Sequence, residues 1–210
     1  PTAARRGERV TRMPDIRICF VGDSFTQGTG DETYLGWPGR VSAAARARGH
    51  TLTAYNLGIR RETTADIMAR WRAEVTPRLA PGVDGRIVFS FGANDATLED
   101  GAWRVPPDAS AANARAIISE AKASYPVLVV GPPPAPEGDK TARHTELAER
   151  YAEVCRELDV PFLDIVEAIR PVDAWWREVA AGDGIHPGSG GYASLAALVD
   201  AWPAWRAWLP

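Results

Sequence analysis

Short apolar runs alternate along the whole chain with stretches of helical periodicity. Residues 16–21, 52–56, 86–91 and Val127–Val130 read as strands, with a weaker one over 161–164. These runs are almost continuously apolar instead of alternating, as expected of parallel strands covered on both faces. Helical spacing falls between them at 39–48, 64–74, 110–124 and 142–158. A last helix runs from Gly191 to about residue 208, bent or interrupted at Pro203, which has no N–H to donate. Pro132, Pro133, Pro134 and Pro136 cannot form a helix interior and imply an extended loop after the fourth strand. No repeat, low-complexity tract or linker divides the pattern. The expectation is an α/β fold with a largely parallel sheet. It occupies one domain over residues 16–210, behind a flexible N-terminal extension of residues 1–15.

Polar turns follow the first three strands. Ser24 follows the first, residues 56–61 the second, and Gly92, Ala93, Asn94 and Asp95 the third. Ligands in open doubly wound sheets bind beyond the carboxyl ends of the strands, so these turns are expected on one rim. A serine hydroxyl is hardly ionised at neutral pH and needs a base within hydrogen-bond reach. His186 offers an imidazole, and Asp183, three residues earlier, offers a carboxylate to orient it. Each residue also has a plainer reading. Ser24 serves equally as the N-cap of the next segment, and His186 as a loop histidine before Pro187.

The blocks Gly22-Asp23-Ser24-Phe25, Asn56-Leu57-Gly58, Gly92-Ala93-Asn94-Asp95 and Asp183-Gly184-Ile185-His186-Pro187 occur in that order. Together they resemble the four blocks of the GDSL-type (SGNH) esterase/lipase family. The resemblance implies a three-layer α/β/α, flavodoxin-like fold with a central, mostly parallel five-stranded sheet. It also implies a carboxylic ester hydrolase using Ser24, His186 and Asp183, with no metal or other cofactor. Its oxyanion hole would combine the Ser24 amide, a backbone amide of the 56–62 turn and the Asn94 side chain. The chain departs from the family at one donor, because Arg61 stands where a glycine is usual. Its amide is the expected donor, with Gly58 as the alternative. Phe25 replaces the leucine of the motif and is expected to pack.

Other residues bear on the substrate. Arg60 and Arg61 either attract an anionic part of it or pair locally with Glu62 or Asp66. Trp175 and Trp176 either wall an acyl pocket or pack in the core. Trp202, Trp205 and Trp208 read as a packed helix face or as a contact between copies in a homo-oligomer. Asp23 and Asp95 read first as capping and turn residues. His50 and His144 read as solvated surface histidines.

Composition narrows the field of partners. The chain has 210 residues, enough for a full core, and a net charge of -3, which gives no long-range attraction to nucleic acid. No apolar stretch is long enough to span a bilayer, and residues 1–15 lack the apolar segment of a secretory signal. Cys19 and Cys155 read as buried free thiols, in keeping with the cytoplasm. The expected partner is a small-molecule ester. An acyltransferase using the same triad is the nearest alternative, and two other classes compete: a metal-dependent hydrolase using Asp23, Asp95, Asp183 and His186, and a non-catalytic binding module. No glycine-rich nucleotide loop supports the latter.

Overall fold

The first apolar run forms β1 (Ile16–Gly22), the second strand of a five-stranded sheet. The computed structural model describes residues 15–136 and 138–209. Apart from residue 15, the expected N-terminal extension lies outside the described residues. Beside β1 run β2 (Leu52–Gly58), β3 (Asp84–Ser90), β4 (Val127–Val130) and β5 (Phe162–Leu163). All pairings among these strands are parallel, in the order β2-β1-β3-β4-β5. The strand order reverses between β1 and β3, which opens a crevice at their carboxyl ends.

Both faces of the sheet are covered, which is why its central strands read as unbroken apolar runs. Cys19, Val21, Ile87 and Phe89 face one core, shared with α3 (Thr64–Val75), α4 (Pro107–Lys122) and α5 (Gly138–Glu157). Ile16, Ile18, Phe20 and Val88 face the other. That core is shared with α2 (Gly36–Ala47), α7 (Asp173–Ala181), α8 (Ser189–Ala201) and α9 (Pro203–Ala207). Neighbouring residues of one strand thus feed opposite layers. Strand β2 departs from the expected double cover. It is an edge strand, and Thr53 and Ala54 are exposed.

Helix ends follow local chemistry. Pro107 and Pro203 open α4 and α9, where a missing N–H costs nothing. Pro203 thereby divides the last apolar stretch into two helices. Trp205 is fully buried in the core, while Trp202 and Trp208 pack at its margin. Several short elements were not anticipated: α1 (Ser24–Gln27), α6 (Val166–Ile169), the whole of α7, and a hairpin pairing Leu98–Glu99 with Ala102–Trp103. Most are too short to show a period. Cys19 and Cys155 are free and buried, and burial pushes both thiols up to about 12. No described helix is long and apolar enough to cross a membrane.

Candidate active site

The chain turns sharply from β1 into α1, and Gly22 makes that turn fit. A Cβ at this position would lie 2.0 Å from the Ser90 carbonyl oxygen and 2.2 Å from Thr26 Oγ1. Asp23 then caps α1, its carboxylate accepting from the Phe25 amide at 3.0 Å. Capping is therefore done by Asp23, and the Ser24 hydroxyl is left for another partner. That partner is His186, whose Nε2 lies 2.8 Å from Ser24 Oγ. The other ring nitrogen, Nδ1, lies 2.7 Å from Asp183 Oδ2. A carboxylate can only accept, so Nδ1 carries the proton and Nε2 presents its lone pair to the serine O–H.

Asp183 is fixed by its own loop. Its second oxygen accepts from the Ile185 amide at 3.0 Å and the His186 amide at 2.9 Å. Burial alone would raise its pKa, but these bonds and the imidazole outweigh it and hold the carboxyl down to about 2. His186 is buried and its pKa falls below the ordinary imidazole value. Desolvation is the main cause; Asp183 opposes it, while the charges of Arg60 and Lys140 add to it. Phe25 packs its ring 4.9 Å from the imidazole and 6.1 Å from Trp175, nearly parallel to the latter. Trp175 is completely buried behind Phe25 and does not line the cavity, so of its two readings core packing fits: it supports the wall from inside the core. Trp176 is also absent from this cavity. Its indole N–H donates to the Arg170 carbonyl at 2.8 Å, beside a neighbouring groove formed with Pro134 and Pro136.

Three residues that line the cavity each keep an N–H without an acceptor among the described residues: Ser24, Asn94 and Arg61. The Ser24 amide starts α1 and has no acceptor among the described residues. Asn94 follows β3; its Nδ2 donates one hydrogen to the Glu62 carbonyl at 2.9 Å and keeps the other. Arg61 has φ 69°, in the left-handed region where glycine is unstrained. A glycine, which the motif resemblance leads one to expect here, would adopt this conformation without strain. The Arg61 amide makes no hydrogen bond among the described residues, and Arg61 lines the cavity. Gly58 is placed differently: its amide already donates to Asn56 Oδ1 at 3.0 Å, and it does not line the cavity.

Two supporting residues escaped the sequence reading. Arg70 of α3 donates to the Gly22 and Leu57 carbonyls, each at 3.0 Å, and pairs with Glu62 at 2.5 Å. One guanidinium thus ties the ends of β1 and β2 to the turn that carries Arg61. A helical arginine gives no sequence signal for this role. His144 is the second, and its expected solvation is corrected. It is buried, its Nδ1 donates to the Pro133 carbonyl at 2.6 Å, and it lines the cavity. Burial, with lesser help from Lys140 and Arg143, lowers its pKa to about 4. The pocket-lining proline loop, unreadable from the sequence as a partner, provides its acceptor.

The cavity measures about 210 Å³ and is lined by Ser24, Asn94, Arg60, Arg61, His186 and the Pro134–Pro136 segment, among others. Asp23 and Asp95 do not converge on a metal site. Asp23 caps α1, and Asp95 is buried among Thr64 and Ser110, both of which donate to it. Among the described residues, no group of three or more His, Cys, Asp or Glu side chains is arranged to hold a metal.

Comparison with known proteins agrees with this architecture. The model of the GDSL-like lipase/acylhydrolase family matches residues 20–194. No curated protein sequence matches the chain. Among solved structures, a lipase/acylhydrolase from Enterococcus faecalis is 28% identical, with a TM-score of 0.75 over 91% of this chain and 96% of that one. An acetylxylan esterase from Geobacillus stearothermophilus is 20% identical, with a TM-score of 0.70 over 89% of this chain and 93% of that one. A lipolytic protein of the G-D-S-L family from Desulfitobacterium hafniense is similar at 20% identity and a TM-score of 0.70, over 89% and 98% of the two chains. The ordered blocks, the sheet topology and the family match converge: the chain belongs to the GDSL-like lipase/acylhydrolase family and is a carboxylic ester hydrolase.

Proposed function

We propose that the chain cleaves small esters through an acyl-enzyme on Ser24. The observation that carries this reading is the unbroken relay from Ser24 Oγ to His186 Nε2 at 2.8 Å and from His186 Nδ1 to Asp183 at 2.7 Å. Ser24 Oγ attacks the ester carbonyl carbon as Nε2 takes its proton. The resulting imidazolium is stabilised by Asp183, which stays ionised. The carbonyl oxygen becomes an oxyanion held by the Ser24 amide, the Arg61 amide and Asn94 Nδ2. His186 then returns the proton to the departing alcohol, and the acyl group remains on Ser24. Water, deprotonated by the same imidazole, attacks the acyl-enzyme and releases the acid.

Size favours a short acyl group. A cavity of about 210 Å³ is smaller than the roughly 300–1,000 Å³ typical of pockets that enclose drug-sized ligands. An acetylated carbohydrate is one ester of suitable size, and some of the fold's neighbours are acetylxylan esterases.

The test is turnover of short-chain aryl esters by purified protein. Ser24→Ala should abolish it, His186→Ala should come close, and Asp183→Asn should be severe. Near-native activity in folded Ser24→Ala protein would overturn the mechanism. Product analysis with an added alcohol distinguishes release to water from transfer to a second acceptor.

A further inference from the structure

We infer that the pocket mouth selects esters carrying an anionic group, with Arg60 as the principal recognition residue. This rests on the reading of the site as a serine esterase and names a class of substrate for it. Four cationic side chains line the cavity: Arg60, Arg61, Arg104 and Lys140. Two carboxylates, Glu99 and Asp183, line it as well. Asp183 is committed to His186. Glu99 lies 3.2 Å from Arg104 and 3.8 Å from Arg61, so it answers those two arginines. Arg104 is further engaged by the Arg61 carbonyl at 2.9 Å.

Arg60 is different. The neighbouring carboxylates that would neutralise it have other partners. Glu62 pairs with Arg70, and Asp66 accepts from the Thr63 amide and hydroxyl in a capping box. Arg60 makes no hydrogen bond or ion pair among the described residues, although it lines the cavity and is exposed. Its charge, together with that of Lys140, reaches the His186 imidazole and disfavours its protonation. The same field therefore acts on whatever sits above Ser24. A planar guanidinium presents paired N–H donors that match a carboxylate. A carboxylate on either the acyl or the alcohol half supplies that chemistry; an acidic sugar ester is one example.

Matched pairs of aryl esters distinguish the two halves. On the acyl side, 4-nitrophenyl hexanoate is compared with the 4-nitrophenyl monoester of adipic acid. On the alcohol side, 4-acetoxybenzamide is compared with 4-acetoxybenzoate. The readout is the anionic-to-neutral ratio of kcat/KM in each pair. Arg60→Gln should lower the ratio about three- to fivefold in at least one pair, and Arg60→Glu should lower it further. Salt should erode the wild-type ratio. Arg156→Gln, a substitution in α5 at a site paired with Glu153, should leave the ratio as it was. Ratios within twofold of wild type in both pairs for Arg60→Gln would overturn the inference while leaving the esterase reading intact. If neither the neutral nor the anionic esters turn over, the esterase reading fails and the inference falls with it.

Discussion

The Arg70 guanidinium donates to the Gly22 carbonyl at 3.0 Å, two residues before Ser24. The same group holds the Leu57 carbonyl and Glu62, and the Glu62 carbonyl in turn accepts from Asn94. All three proposed oxyanion donors therefore hang from backbone that Arg70 braces. Removing it leaves largely buried carbonyls and a carboxylate without their cation. Arg70→Met is expected to cost about 3–5 kcal/mol in denaturant unfolding and to lower kcat more than it raises KM. Arg70→Lys, which keeps the charge but loses the planar fork, should recover part of both. Loss confined to stability, with kcat per folded molecule unchanged, would reduce Arg70 to a structural tie.

Asn94 and Arg61 donate in different ways and should respond differently to substitution. Asn94→Ala deletes a donor and should reduce kcat on the order of 100- to 1,000-fold. Arg61→Gly retains the amide and relieves a left-handed residue, which for an ordinary side chain costs roughly 1–2 kcal/mol. The greater freedom of glycine in the unfolded chain offsets about half of that gain. Melting temperature should stay level or rise slightly, and kcat on a neutral ester should remain within severalfold. A large fall in kcat would show that the Arg61 side chain, not its amide, matters to the chemistry.

The acid limb of kcat/KM should lie below the ordinary imidazole value of about 6.5. Burial lowers the pKa of His186, and the base works only when neutral, so activity persists to more acidic pH. Asp183 favours the protonated ring, hence Asp183→Asn should move the limb lower still in its residual activity. Arg60 opposes protonation, hence Arg60→Gln should move it upward. A pH profile measured with a neutral ester checks both signs, and a wild-type midpoint above the ordinary value contradicts the geometry.

His144 gives a separate signature in stability. Its pKa in the fold is about 4, below the ordinary 6.5, so the unfolded chain binds more protons between those values. The contribution of this group is complete above about pH 6.5 and is lost as pH falls toward 4. The full difference is about 3 kcal/mol. Asp23 works with the opposite sign, because burial raises its carboxyl to about 7, so the whole-protein slope mixes the two. The comparison is therefore made with His144→Gln across pH 7 to about 4.5. The stability gap between wild type and variant should narrow on acidification. A gap that stays constant would mean that His144 titrates normally.

Sequence alone carried the sheet and the candidate reacting groups because both leave local marks. Buried parallel strands must be apolar on both faces, and the turns at their carboxyl ends need small or polar residues. Strands β1 to β4 are therefore legible and β5 more weakly so, and Ser24, Asn94, Asp183 and His186 are legible as candidates. The exposed edge at β2, the four-residue α1 and the Leu98–Trp103 hairpin left no such mark.

Only the tertiary structure decided who neighbours whom. It separated Asp23 as the cap from Ser24 as the partner of His186, moved Trp175 behind the wall, and brought His144 out of solvent. Among the described residues it also left Arg60 without a counter-ion while supplying one to Arg61. Each of these facts depends on hydrogen bonds, desolvation and charge between groups distant in the chain. A periodic pattern reports which face of an element is buried, but the partner across that buried face is fixed only when the layers close.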